Sequence, residues 1–532
     1  MKLFCVFLLF VSQLTFGQNS VVDLKDAGAD SKGLVNCSPI INKIVAELSE
    51  QGGGEIYIPS GVYLSGPIEL KSNITLNIGS GAVLKFSDDF DAYLPMIDSR
   101  WEGVRVRNFK SCIYSHNANN VTIKGRGLID GNGKKWWDLW SRIREGEKTN
   151  TKWEAIFKKE NAEMLKTNEY LQSMGSFLRP PLFMPYNCTN VRVEGVTFTN
   201  PPFWTLMPVF SENVTIDGIT ILNPGDSPNT DGIDPSSCRN VRISNSHISV
   251  GDDCIVIKSG RDADGRDANR PTENITISNC TMLNGHGGVV IGSEMSGSVR
   301  RVAISNCVFE GTDRGIRIKT MRGRGGVVED VRVSNVIMHN MLREGVMINM
   351  HYHETPEEPV SDRTPAIRNV YLSNIRMTNA NKGIAIYGLK ERSAEQISFN
   401  DIQIDAKTGV TGDYASNIDM KNIRLSVSNG NAIEFNHSEK IQISDLTVYS
   451  LSADASVIKL DNCSDILVNN CFQPTELPVF IEGNQSVTNL FVINNILSGV
   501  DLLVEGDVPF LTEKGNIIKS DMEKNTQTAV KK

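Results

Sequence analysis

Beyond its opening residues the chain has no apolar run near the roughly 20 residues that a membrane-spanning helix needs. It also lacks the cysteine density of a disulfide-built domain. Its ten cysteines are scattered singly through 532 residues, with no pair at metal-binding spacing. Positive charge is in deficit: 54 Lys and Arg stand against 62 Asp and Glu, a net charge of −8. A nucleic-acid partner is therefore not expected. An anionic ligand is not excluded, because local clusters rather than net charge decide that. Cys254, Cys280 and Cys307 sit where Val or Ile could sit, which suggests small buried hydrophobes, with a Cys280–Cys307 contact between neighbouring turns left open.

The opening "MKLFCVFLLFVSQLTFGQ" carries Lys2, an apolar stretch from Leu3 to Val11, and small residues around Gly17. Residues 1–17 read as a signal peptide, too short to span a bilayer, and Cys5 lies inside the apolar run, where it does not suggest a lipid anchor. The expected location is periplasmic or extracellular. At the other end, residues 511–532 read as a polar tail, closing on "KSDMEKNTQTAVKK".

Between them one phrase recurs: "NNVTIKG", "TNVRVEG", "ENVTIDG", "RNVRISN", "ENITISN", "RRVAISN", "EDVRVSN", "RNVYLSN". Each is a short alternating strand entered and left through polar turn residues. The first apolar residue falls at Val121, Val191, Val214, Val241, Ile275, Val302, Val331 and Val370, then at Ile397, Ile423, Ile441, Ile466 and Leu490. A period in the twenties with almost no helix predicts an all-β solenoid, a parallel β-helix with residues 18–510 as its domain. Leucine-rich repeats share the period but need a Leu spacing that is missing. The repeated asparagines are expected to stack as side-chain ladders. Open solenoid ends need caps, and "CSPIINKIVAELSEQGGG" supplies one. It has Ser38 as N-cap, Pro39 at the first helical position, and Ile41, Ile44, Val45 and Leu48 on one face, with Gly52 to end it. Residues 134–180 break the ladder with a charged, Trp-rich, helix-forming insertion, expected as a loop projecting from one face.

"NTDGIDP" (229–235) and "GDDCIVIKSG" (251–260) gather Asp231, Asp234, Asp252 and Asp253 among turns and buried strand. Clustered carboxylates repel one another and resist desolvation. Strict alternation sends Asp252 and Asp253 to opposite faces, so either Gly251 bends the chain or the strand begins only after Asp253. Stacking of adjacent coils brings Asp231 to the pair, whereas Asp234 fits a turn-capping role. "NGHGGVVIGSEMSG" (284–297) places His286 one coil further on. In "RGIRIKT", Ile316 and Ile318 point inward and leave Arg317 and Lys319 side by side outside, a receptor for a carboxylate. Arg300, Arg301, Arg314, Arg322 and Arg324 add a basic neighbourhood suited to an acidic polysaccharide.

"NTD", "GDD", "GHGGVVIGS" and "RIK", in that order, resemble the polygalacturonase family of glycoside hydrolases, family 28, and "RIKTMRGRGG" its exo-acting members. The resemblance implies a right-handed β-helix with an open groove that hydrolyses galacturonosyl linkages of pectin with inversion, without cofactor or metal. It implies Asp252 as general acid, Asp231 and Asp253 activating water, and His286 sustaining the acid. Asn229, Arg317, Lys319 and Tyr352 would bind substrate. An inverting pair is expected to leave roughly 6.5–9.5 Å for the water, and the clustered acids to give a mildly acidic optimum. Met207 stands where many relatives carry His, which bears on substrate choice. The insertion could close one end of the groove and favour cleavage from a chain end. A pectate or pectin lyase, or a non-catalytic carbohydrate-binding β-helix, are the alternatives.

Overall fold

The computed structural model describes residues 20–173 and 179–520. The leader at 1–17 and the end of the tail lie outside the described residues. Each copy of the repeated phrase folds as a short strand because its apolar residues alternate with polar ones. In Arg239–Ser244, Val241 and Ile243 are buried while Arg242 is exposed. Consecutive copies stack in parallel and in register, so that Val214, Val241, Ile275, Val302, Val331 and Val370 are direct neighbours. Two more strands complete a coil, His247–Ser249 and Asp253–Ile257 in this one. The product is a three-faced, right-handed parallel β-helix, the hand that parallel crossovers adopt. Its core is a continuous column of Ile, Val, Leu and Phe. Each buried aliphatic side chain contributes about 1.5–3 kcal/mol, and a one-residue slip would expose a whole face at once.

The corners account for the asparagines. Asn190, Asn213, Asn240 and Asn274 hold φ of 57°, 56°, 58° and 58°, in the left-handed region that Asn tolerates and β-branched residues do not. Their amides form the expected ladder. Asn213 Nδ2 donates to Asn190 Oδ1 at 3.2 Å, Asn240 to Asn213 at 3.1 Å, and Asn274 to Asn240 at 2.9 Å. One copy is displaced. Ile423, expected at the head of a first strand, pairs with Ile402 in the second, and Ile418 takes the head position between Ile397 and Ile441. Both corners of that coil carry a left-handed Asn followed by Ile (Asn417 and Asn422), so the local pattern is the same at each.

The N-terminal end is covered by α1 (Ser38–Glu50), which buries Ile41, Ile44, Val45 and Leu48. Ser38 is the first helical residue rather than the cap. Asn36 Oδ1 takes that role, accepting from Ser38 N and Gly66 N, each at 2.9 Å. The insertion forms α2 (Lys134–Arg144), α3 (Lys152–Glu160), α4 (Ala162–Thr167) and α5 (Glu169–Ser173). It does not project. With the hairpin Ile97–Trp101/Val104–Asn108 it folds back onto the third face, burying Met184, Met207 and Val209 against Trp101, Phe157 and Leu171. The solenoid also runs past residue 510: Leu511–Lys514 pairs with Thr488–Ile493, and Ile517–Ile518 with Ile496–Leu497, so the tail begins later than expected. The nine cysteines among the described residues are buried free thiols, Cys280 and Cys307 touching in adjacent coils.

The corner geometry sets a stability order. Asn240→Gly loses the ladder amide and costs about 1 kcal/mol. Asn240→Ala adds left-handed strain and costs about 2 kcal/mol. Thermal melting should rank wild type above Asn240→Gly above Asn240→Ala.

Candidate active site

On the third face Ile233, Ile255, Val289, Ile316 and Val346 stack in successive coils. Asp231 and Asp253 therefore occupy one position, two residues before the inward Ile233 and Ile255. The coils are clamped there by Gly232 N donating to Asp253 O at 3.0 Å. The difficulty with "GDD" is resolved by an interruption of the alternation. The strand begins at Asp253, and Cys254 and Ile255 both join the core, so Asp253 turns outward. Asp252 lies in the preceding turn, its Oδ1 accepting from Asp253 N at 2.9 Å. Gly287 stacks on Asp253 in the next coil. A β-carbon there would lie 3.0 Å from Asp253 Oδ1 and 2.4 Å from Val290 Cγ2, so glycine leaves the carboxylate its room.

The three carboxylates present oxygens within 4.8 Å of one another. A water about 2.8 Å from two such oxygens sits at an angle of about 120° between them, an ordinary hydrogen-bonding geometry. The positive charge among these acids is supplied by side chains. Lys319 Nζ donates to Asp253 Oδ2 at 2.8 Å, and His286 Nδ1 lies 3.1 Å from Asp252 Oδ1. We assign no metal to the cluster. Asp231 is fully buried, and burial, with the Asp252 and Asp234 carboxylates beside it, holds its pKa well above the usual carboxylate range. Burial also pushes Asp252 upward, but the hydrogen bond and charge of His286 outweigh it and leave Asp252 below its ordinary value. His286, half-exposed, is raised by its bond to Asp252.

Of the proposed receptor, Arg317 and Lys319 do point outward from a strand whose Ile316 and Ile318 are buried, but they are not equivalent. Lys319 is buried and paired with Asp253, whereas Arg317 makes no ion pair among the described residues and its Nε has no hydrogen-bond partner. Tyr352 joins them, its ring 5.6 Å from Arg317 Cζ and 5.3 Å from Lys319 Nζ. The wider basic neighbourhood is not a free positive field. Arg300 and Arg301 bind Glu273 on the first face, Arg314 pairs with Glu344, Arg322 with Glu391, and Arg324 with Asp262. Of the arginines in this neighbourhood, Arg317 has no carboxylate partner among the described residues.

The described parts of the insertion touch this face at two rims. On one rim Tyr170 hydrogen-bonds Glu102 and carries Arg261 over its ring, 3.5 Å from the centroid. On the other, the returning chain places Arg179 against the loop before the acids. Arg179 Nη1 donates to Pro228 O and Nη2 to Asn229 Oδ1, both at 2.6 Å. Burial lowers the pKa of Arg179 to about 9. Asn229 in turn offers Nδ2 to Asp252 Oδ2 at 3.5 Å. Met207 is sealed beneath this wall and does not reach the acids. Along the face, Trp204 lies in the coil before Asp231, and Arg317 and Tyr352 lie in coils beyond Gly287.

Four residues escaped sequence reading. Asp234 caps no turn: both its oxygens are buried without a hydrogen bond, 3.8 Å from Lys258. Lys258 and Glu294, within the quoted motifs, pair at 3.2 Å under the acids. A Lys in the otherwise apolar run "CIVIKSG" was the available signal. Arg179 had none, because its partners lie about fifty residues away.

Known proteins resemble this chain in sequence and fold. The family model described as "Glycosyl hydrolases family 28" matches residues 49–176 and 174–421. A hyperthermoactive exopolygalacturonase from Thermotoga maritima superposes with a TM-score of 0.68 at 35% identity, covering 76% of this chain and 91% of that one. A probable polygalacturonase of Vitis vinifera is 34% identical over 328 residues, 60% of either chain. An exo-poly-alpha-D-galacturonosidase of Dickeya chrysanthemi is 26% identical, over 78% of this chain and 72% of its own. The chain belongs to glycosyl hydrolases family 28.

Gly287→Ala tests the stacking argument. The added methyl displaces Asp253 while the coils remain, so kcat should fall by roughly 100-fold, with an unchanged circular dichroism spectrum.

Proposed function

We propose that the protein hydrolyses galacturonosyl glycosidic bonds in pectin or pectic oligosaccharides, with inversion and from a chain end. The single observation that carries this reading is the juxtaposition of three carboxylates within 4.8 Å with Arg317, an unpaired cation, on the same face. A uronate carboxylate compensates Arg317, and Tyr352 forms a wall beside it. Asp231 and Asp253 hold the attacking water, and Lys319, hydrogen-bonded to Asp253, keeps it aimed. Asn229, braced by Arg179, orients Asp252 and the sugar.

Asp252 and His286 share one proton. In the free protein it favours the imidazole, leaving an ion pair. The carboxyl form that protonates the leaving oxygen is the other tautomer of the same pair. Substrate covering the half-exposed His286 strips water from the ion pair, which favours the neutral tautomer and moves the proton to Asp252. Water held between Asp231 and Asp253 then attacks the anomeric carbon from the opposite side, and its proton passes to that carboxylate pair. Chain-end action is supported by the likeness to the exopolygalacturonase from Thermotoga maritima. Export rests on the leader at 1–17. No described helix is long and apolar enough to cross a membrane.

Incubation with galacturonide oligomers of defined length, followed by chromatography, should give steady release of short products from one end. Proton NMR of the first turnovers should show the inverted anomer. Products absorbing in the ultraviolet as unsaturated uronates would instead mark a lyase, and the hydrolase reading would fall. Asp252→Asn should lower kcat by roughly 1,000-fold or more, and Arg317→Ala should act mainly on KM.

The pH profile of kcat/KM should be a bell. Its acid limb lies above the ordinary carboxylate range, because Asp231 must ionise. Its alkaline limb lies above 6.5, because the raised His286 must keep the shared proton. Activity that climbs steadily into alkali contradicts these roles.

A further inference from the structure

Beneath the proposed water-activating Asp231 lies a buried charge arrangement that the hydrolytic scheme does not use. Asp231 Oδ1 and both oxygens of Asp234 are buried without a hydrogen bond. The cation facing them is Lys258, whose Nζ lies 3.9 Å from Asp231 Oδ2 and 3.8 Å from Asp234 Oδ1. Those distances are too long for hydrogen bonds, so Lys258 acts on both aspartates through charge alone. Its own bond goes to Glu294 Oε2 at 3.2 Å, and its ammonium sits 4.3 Å over the Trp204 ring. Glu294 is held on its far side by Arg261 Nη2 at 2.9 Å, and Arg261 also binds Glu102.

A buried Lys–Glu pair is no stability device in itself, since well-packed apolar residues often serve as well. What this pair does is set the charge under an acid. We propose that Lys258 and Glu294 are positioning residues that jointly fix the positive potential at Asp231, and with it the pH at which the water-activating carboxylate becomes available. The proposal rests on the hydrolytic reading above and adds a control to it. The other charges facing Asp231 are Asp252 with its His286, Asp253 with its Lys319, Asp234 below, and Arg179 from the returning insertion. Arg324 faces Glu294. Lys258 also favours the charged forms of Asp234 and Asp252, both of which face Asp231.

The two partners must act with opposite sign. Lys258→Met removes the cation, so Asp231 ionises at higher pH and the acid limb of kcat/KM moves up. Glu294→Gln leaves Lys258 and Arg261 uncompensated, so Asp231 ionises more readily and the same limb moves down. Lys258→Met should displace the limb by about one pH unit, as for a charge about 4 Å from a buried carboxyl, and Glu294→Gln, which acts from behind Lys258, by less. Lys258→Arg keeps the charge and should leave the limb in place.

The experiment is the pH profile of kcat/KM on a galacturonide oligomer for wild type and these three variants, with melting temperatures alongside. Opposite displacements for Lys258→Met and Glu294→Gln support the proposal. Limbs that stay put, limbs that move the same way, or a loss uniform across pH would each overturn it and leave the pair a packing element. The proposed hydrolysis is read separately: a wild type that cleaves no oligomer takes both readings down, whereas an active wild type with unmoved variants removes only this one.

Discussion

The parallel register of the coils is the constraint on which everything else depends. Strands stack about 4.8 Å apart, and equivalent positions fall in rows along the solenoid. A row holds whatever the sequence supplies every twenty-odd residues: valines inside, asparagine amides at a corner, and on the third face Asp231, Asp253 and Gly287 in turn. The site therefore needs no special loop to bring its acids together. It needs the alternation to be interrupted at Cys254 and Ile255, which turns Asp253 outward, and it needs a residue without a side chain in the coil beyond.

Concentrating carboxylates on a low-dielectric floor is costly unless cations stand among them. The protein interleaves them. Lys319 reaches back to Asp253, His286 bonds Asp252, and Lys258 sits under Asp231 and Asp234 with Glu294 to moderate it. The arginines that look like a positive surface in the sequence are spent on individual acids. Arg317, on the same face as the acids, makes no ion pair among the described residues. Recognition at this site is thus a local matter, consistent with an overall negative chain.

The insertion gives the groove its direction. It makes contact at Arg261 on one rim and at Asn229 on the other, and with the neighbouring hairpin buries Met184 and Met207. An uninterrupted β-helix face would be open at both ends. Here the coils before the acids are covered by the cluster that the insertion forms around Met184 and Met207.

Periodicity determined the solenoid, its capping helix and the order of the motifs, because inward and outward alternation is a property of neighbouring residues. The same locality misread Ile423, whose corner is identical to the one before it, and took Asp234 for a turn cap. It also ended the solenoid too early, since strand pairing at Leu511–Lys514 is supplied by residues more than twenty positions back. Burial and charge pairing were settled only in three dimensions. Which arginine stays free, which lysine lies beneath the acids, and where the insertion comes to rest all depend on partners brought near by stacking, and no window of sequence contains both halves of such a contact.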